Sequence, residues 1–89
     1  VAYVKENNKQ RAIEVAQILR ANSINTDLNL AKRNLANQLA YADALKLKYA
    51  IIIGDAEEKA GKVRLRNLIS GEEELLTIDE AIEELREKN

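Results

Sequence analysis

Six amino acids are absent from this 89-residue chain: cysteine, histidine, proline, methionine, phenylalanine and tryptophan. Without cysteine there is no disulfide, no thiol nucleophile and no thiolate metal site. Without histidine the chain lacks the side chain that most often serves as a general base or metal ligand. The glycines stand apart at 54, 61 and 71, so neither GxGxxG nor GxxxxGK[ST] is present. We therefore expect a non-catalytic domain without a metal or cofactor.

The length fits one domain, which we predict to span residues 1–89. A domain of this size has a limited core and no room for a second unit with its own cleft. No apolar run approaches the roughly 18 residues of a membrane span, so we expect no membrane contact and a cytoplasmic location. The chain begins with valine rather than methionine, and we expect a fragment or a processed product.

The net charge of −1 argues against a strongly basic nucleic-acid binder. The charges are unevenly distributed, however. Residues 1–50 hold eight lysines and arginines against four acids, whereas the acids dominate residues 51–89. Such a separation permits a basic face on a nearly neutral domain. The alternative is that these charges are merely solvated.

The hydrophobic pattern predicts the element order β-α-β-α-β-β-β-α. Helices are indicated by broad apolar faces at 12–19 and 32–46 and by a capping box at 77–80. The aliphatic run 49–53 is typical of a strand covered on both faces at the centre of a largely parallel sheet. The remaining predicted strands are 1–4, 24–30, 62–66 and 74–77. We predict an α/β fold of two or three layers with a mixed five-stranded sheet, three helices, and a charged turn at 55–61.

Two arginines and an asparagine form the most distinctive local pattern. In the alternating strand 62–66, Arg64 and Arg66 project from one face, and Asn67 follows at its end. Guanidinium groups there could stack on a base or bind a phosphate. The alternative is an ordinary polar strand face. Acids at 55, 57 and 58 follow the central strand, where open α/β sheets place ligands, but without a partner group a solvated turn is favoured over catalysis.

Three stretches, taken together, resemble the anticodon-binding domain shared by the aminoacyl-tRNA synthetases for histidine, threonine, proline and glycine. They are 18–20 with 24–27, RNLANQLAYAD at 33–43, and YAIIIGDAE at 49–57 with GKV at 61–63, Arg66 and SGE at 70–72. Their order and spacing fit nearly the whole chain, although no single motif is diagnostic. The second helix and the GEE turn resemble the histidine enzyme most. Departures fall at Ser23 and Lys46 (usually Gly), Lys48 (often Pro) and Glu73 (usually Gln).

The resemblance implies a domain that binds splayed bases of the tRNA anticodon loop and performs no chemistry itself. It implies that Arg33 contacts the RNA backbone or a base, and that Glu57 accepts hydrogen bonds from a base edge. Arg66 and Asn67 would contact bases, and Arg64 would add charge together with Lys62. It further implies a homodimeric parent histidine–tRNA ligase and a monomeric isolated domain.

Two other functions stay open at this point. The fold is also used as a protein-interaction or accessory module that binds no tRNA, and the acidic last helix would suit that use. A flavodoxin-like small-ligand or enzyme domain is the weakest reading, because it would need a phosphate loop or a catalytic base.

Overall fold

The computed structural model describes residues 1–28 and 34–87, and it has an α/β architecture in which helices lie on both faces of a mixed sheet. Within these residues the strands are β1 (Ala2–Tyr3), β2 (Tyr49–Ile53), β3 (Val63–Asn67) and β4 (Glu73–Leu76). The helices are α1 (Lys9–Ala21), α2 (Leu35–Ala44), α3 (Asp55–Ala60) and α4 (Ile78–Glu87), and a short 3-10 turn (Glu6–Asn8) precedes α1.

The described strands form one sheet in the order β1-β2-β3-β4. β1 and β2 run parallel, whereas β2–β3 and β3–β4 are antiparallel. The prediction that 49–53 is an interior strand is confirmed, since β2 has a neighbour on each side. The sheet is mixed, as predicted, although it is less parallel than the aliphatic run suggested.

One face of the sheet carries the main hydrophobic core. Tyr3, Ile51, Ile53, Val63 and Leu65 alternate onto this face and are buried. α1 and α4 cover it with apolar stripes that belong to the same core cluster: Ala12, Val15 and Leu19 from α1, and Ala81, Ile82 and Leu85 from α4. These two helices therefore cover a single side of the sheet, which we call the core face.

The opposite face, which we call the outer face, is covered only in part. α2 lies beside β1, where its buried Gln38 is hydrogen-bonded to the backbone of Tyr3. α3 lies beside β3. Leu75 of β4 is 42% exposed, so the outer face of the β3–β4 hairpin is open.

The helix starts and ends follow local chemistry. The predicted capping box is confirmed, because Glu80 N–H donates to Thr77 Oγ1 at 3.2 Å and Thr77 N–H donates to Glu80 Oε1 at 2.9 Å. The hydrogen bond from the Thr77 N–H to the Glu80 carboxylate, together with the Thr77 hydroxyl, lowers the pKa of Glu80. The second helix is shorter than the predicted 32–46. It begins after Asn34, whose side chain accepts from Asn37 N–H at 2.8 Å, and it ends before Lys46, which has a φ of 62°.

The strand predicted at 24–30 is wrong over residues 24–28, which form no strand; residues 29 and 30 lie outside the described part. Local contacts occupy the carbonyl groups that a strand ladder would use. Thr26 Oγ1 donates to Ile24 O at 2.9 Å, and the Arg20 guanidinium donates to Thr26 O at 3.0 and 3.3 Å. The α-amino group of Val1 donates to Asp27 O at 2.8 Å.

The charged turn predicted at 55–61 is also wrong, because it contains α3. Glu58 N–H donates to Gly54 O at 3.0 Å, and Gly61, with a φ of 68°, ends the helix in the left-handed conformation. A helix of six residues is too short to show helical periodicity. The described residues thus hold four helices and four strands, where three helices and five strands were predicted. No helix in this part of the chain is long and apolar enough to cross a membrane.

Candidate functional site

The open outer face of the hairpin brings two of the predicted arginines together. Arg64 lies between Ile52 and Leu75, and Arg66 lies between Ala50 and Glu73, in the strand register. Opposed residues in adjacent strands point to the same side of a sheet. Both arginines therefore share the outer face, as the alternation of β3 predicts.

Two carboxylates hold these guanidinium groups. Arg64 Nη2 lies 3.2 Å from Glu57 Oε2, and Arg64 Nη1 lies 3.7 Å from Glu73 Oε1. Arg66 Nη1 lies 2.9 Å from Glu73 Oε2. The result is a chain of ion pairs in the order Glu57, Arg64, Glu73, Arg66. We call these four residues the arginine–glutamate network.

Glu57 is the buried end of this network, with a side chain only 7% exposed. It occupies the third position of α3. Gly54 is the N-cap of this helix and directly follows the central strand β2. The absence of a side chain at Gly54 makes room for the carboxylate, because a Cβ there would lie 2.8 Å from Glu57 Oε1. The single described hydrogen bond of the carboxylate comes from Arg64 at 3.2 Å, so burial and charge pairing both fix its place.

Glu73 is not among the predicted site residues and stands out in the sequence only as a departure from the family pattern. In the structure it belongs to β4 and contacts both arginines. The hairpin register was the available signal. Once Leu75 is placed opposite Arg64, Glu73 must stand opposite Arg66.

A polar cluster at the carboxyl ends of β1 and β2 anchors the start of α3. Asp55 Oδ1 accepts from the side-chain amides of Asn7 and Asn8, both at 2.9 Å, and Asp55 Oδ2 lies 3.1 Å from Lys5 Nζ. The fully buried Asn8 also donates to Glu58. The hydrogen bonds from Asn8, Asn7 and Lys5 lower the pKa of Asp55 to about 2. No local sequence pattern indicates these contacts, because they join residues 47 to 50 positions apart.

Asn67 lies at the end of β3, but its side-chain carbonyl oxygen accepts hydrogen bonds from the turn that follows. Asn67 Oδ1 accepts from Ile69 N–H at 2.8 Å and from Ser70 N–H at 3.0 Å. In the register it stands opposite Tyr49, which packs against the core cluster, so strand alternation separates it from the arginine face. Its amide nitrogen makes no hydrogen bond among the described residues. Arg33, the remaining predicted site residue, lies outside the described residues.

The chemistry available on this face is recognition by charge and hydrogen bonding. It presents guanidinium donors, carboxylate acceptors and the exposed apolar side chain of Leu75. In residues 1–28 and 34–87, no group of three or more acidic side chains is arranged to hold a metal ion. Arrangements of this kind suit flat polar ligands such as unstacked nucleobases.

Comparisons with known proteins agree on one family. The family described as "Anticodon binding domain" matches residues 1–88. The histidine–tRNA ligase of Methanosarcina acetivorans is 42% identical over 74 residues, which cover 83% of this chain and 18% of that protein. The histidine–tRNA ligase of Caldicellulosiruptor bescii is 38% identical over 88 residues, covering 99% of this chain and 21% of that protein.

A solved structure agrees with these relatives. The crystal structure of the histidyl-tRNA synthetase from Nostoc sp. PCC 7120 matches with a TM-score of 0.86 at 29% identity, and the match covers 98% of this chain and 22% of that one. The chain thus spans about a fifth of the length of the histidine–tRNA ligases that it matches.

Proposed function

Because this chain belongs to the anticodon-binding domain family, we propose that it binds the anticodon loop of a tRNA as part of a histidine–tRNA ligase. The observation that carries this proposal is the arginine–glutamate network on the open outer face of the hairpin. Bases in a single-stranded loop expose their edges and faces, so guanidinium and carboxylate groups on a sheet can contact them.

Within the network, we assign different roles to the two arginines. Arg64 is held by carboxylates at both Nη atoms, whereas Arg66 donates only through Nη1 among the described contacts. Arg66 therefore keeps Nε and Nη2 for a base or a phosphate. Arg64 mainly positions Glu57 and Glu73 and adds charge.

The other predicted contacts add to those of the network, and the contact from Asn67 would be made around the end of β3 and not from the arginine face. Glu57 accepts a hydrogen bond from a base edge, in addition to the one from Arg64. The free amide nitrogen of Asn67 donates to a base at the end of β3, and Arg33 contacts the RNA backbone near the start of α2. For Arg33 the support is the family resemblance. For Glu57 it is also the buried carboxylate beside the guanidinium of Arg64.

The parent protein is proposed to be a cytoplasmic homodimer that performs the ligase chemistry outside this domain, and the isolated domain is proposed to be a monomer. The support is the resemblance to histidine–tRNA ligases, whose length is about five times that of the match. Sedimentation of the isolated domain tests the last point, since a dimer would overturn it.

The direct test is titration of the domain with a panel of anticodon stem-loops at low salt. We expect the stem-loop of a histidine-accepting tRNA to bind most tightly, in roughly the micromolar range, with affinity falling as salt rises. Arg66→Ala should weaken that binding. Arg11→Ala, on the helix that covers the core face, is the matched control and should not.

Equal binding by wild type and Arg66→Ala would overturn the assignment of the site. Absence of binding to every stem-loop at low salt would overturn the proposed function.

A further inference from the structure

The arginine–glutamate network carries no net charge, because Arg64 and Arg66 are balanced by Glu57 and Glu73. Contacts to phosphates supply the sequence-independent part of RNA affinity, and each one needs a cation free to replace counterions. The network is therefore suited to discriminating bases, but it is poorly suited to holding the RNA backbone. If the domain binds a loop, the cations for the backbone must lie elsewhere.

Two lysines beside the network meet this requirement. Lys46 and Lys48 are exposed, and neither forms an ion pair within residues 1–28 and 34–87. No acid occurs in the sequence between Asp43 and Asp55. Asp43, three residues before Lys46, forms no ion pair with either lysine among the described residues.

The fold places these lysines at the Arg66 end of the hairpin. Lys48 O accepts a hydrogen bond from Leu68 N–H at 2.8 Å, so the residue is joined to the turn that follows β3. Two positions further along, Ala50 stands opposite Arg66 in the register.

The lysines at the other end of β3 have acids close by. Lys59 follows Glu57 and Glu58 within α3, and the charge of Lys62 acts on Glu80. The turn at the end of the hairpin near Lys46 and Lys48 holds one acid, Glu72, which forms no ion pair with either lysine among the described residues. An RNA loop that lies across the outer face would pass over the end of the hairpin where Lys46 and Lys48 lie.

We propose that Lys46 and Lys48 bind the phosphodiester backbone of the single-stranded RNA loop whose bases contact the arginine–glutamate network. The inference rests on the proposed function and adds a phosphate site to it. The ligand is a run of adjacent phosphates, since Lys binds phosphate as a point charge and does not require a particular base.

The conformation of Lys46 makes a clean variant available. Its φ of 62° suits glycine better than lysine, so Lys46→Gly removes the charge while preserving the backbone. Lys48→Ala removes the second charge at an exposed position. Both variants should keep the native circular dichroism spectrum and unfold no more easily than wild type.

The experiment measures the dissociation constant of the histidine-type stem-loop against salt concentration for wild type, Lys46→Gly, Lys48→Ala and the double variant. We expect the slope of log K against log salt to fall by about one for each lysine removed. Discrimination between stem-loops should stay unchanged, because phosphate contacts carry no base information.

Two matched controls separate a contact from other effects. Ser23→Gly relieves the same left-handed strain at the end of α1, where φ is 64°, without changing charge. Lys9→Ala removes one positive charge on the helix that covers the core face. Neither should change the salt slope.

The outcomes distinguish the two proposals. If wild type binds no stem-loop, the proposed function and this inference both fail. If wild type binds and the double variant keeps the same slope, or if Lys9→Ala lowers the slope equally, only the lysine site is overturned.

Discussion

Gln38 bonds to both backbone groups of Tyr3 in the way that a neighbouring strand would. Gln38 Nε2 donates to Tyr3 O at 2.8 Å, and Tyr3 N–H donates to Gln38 Oε1 at 2.7 Å. Both residues are buried. The other edge of β1 is hydrogen-bonded to β2. The side-chain amide of Gln38 therefore bonds to the backbone groups of Tyr3 on the free edge of the strand, and it connects α2 to the sheet.

Replacing Gln38 with leucine should therefore destabilise the fold. The change keeps the side chain large but leaves a buried donor and a buried acceptor without partners, and each such group costs about 1–3 kcal/mol. We expect the free energy of unfolding, measured in urea, to fall by about 2–6 kcal/mol. Asn37→Ala, at the exposed neighbouring position, should change it by less than about 0.5 kcal/mol. Equal effects of the two variants would contradict the role of Gln38.

Elements with a strong local pattern could be predicted from the sequence. Three patterns reflect local structure directly: the apolar run of β2, the alternation of β3 and the capping box of α4. The predictions that were wrong concern segments whose structure depends on contacts between distant residues, or elements too short to show a helical period. The six-residue α3 and the irregular segment after α1 belong to this class.

The residues of the site likewise divide into those that a local pattern predicts and those that depend on tertiary structure. Alternation within β3 was sufficient to predict that Arg64 and Arg66 share a face. Their counter-ions required the hairpin register for Glu73 and the placement of α3 for Glu57. The hydrogen bonds from Asn8 to Asp55 and Glu58 depend entirely on tertiary structure, because nothing local relates those residues.

Asp55 should make the stability of the domain depend on pH in the acid range. Its pKa is lowered from 3.8 to about 2 by hydrogen bonds from Asn8, Asn7 and Lys5, so the fold favours the ionised form. This stabilisation is complete above the ordinary pKa and is lost as pH falls from about 4 towards 2. Asp55→Asn should therefore lose stability at pH 7 and show a shallower decline between pH 4 and pH 2.

Urea unfolding at pH 7, 4, 3 and 2 measures this difference. Asp43→Asn is the matched control, because Asp43 is an exposed aspartate on α2 whose side chain has no hydrogen bond among the described residues. An Asp55→Asn profile parallel to that of wild type would rule out the linkage.

Replacing Gly54 should affect RNA binding more than it affects the stability of the fold. An added Cβ would lie 2.8 Å from Glu57 Oε1 and 3.0 Å from Val4 Cγ2, and the carboxylate is the more movable neighbour. Gly54→Ala should displace Glu57 from Arg64 and lower the unfolding free energy by about 1–2 kcal/mol, as overpacking usually does. Binding of the stem-loop should weaken as much as in Glu57→Gln.

The double variant distinguishes this explanation from general damage. If Gly54→Ala acts through Glu57, adding it to Glu57→Gln should weaken binding little further, because coupled changes are not additive. Fully additive losses would contradict the mechanism.

Glu73 should compete with RNA for the arginines that it contacts. Its carboxylate lies 2.9 Å from Arg66 and 3.7 Å from Arg64, so it offsets positive charge that an incoming base or phosphate would otherwise meet at these guanidinium groups. Glu73→Gln keeps the shape of the side chain and removes the charge. The loss of stability should be under about 1 kcal/mol, because partly exposed ion pairs contribute little. We expect the stem-loop to bind about threefold to tenfold more tightly and with a steeper salt dependence.

Glu74→Gln is the matched control for net charge. Glu74 is an exposed neighbour in β4 that stands opposite Leu65 and makes no ion pair among the described residues. It should tighten binding less than Glu73→Gln does. Weaker binding by Glu73→Gln would show that the carboxylate orients the guanidinium groups for RNA instead of competing for them. Equal tightening by both variants would mean that only long-range charge matters, and the network would then have no specific part in affinity.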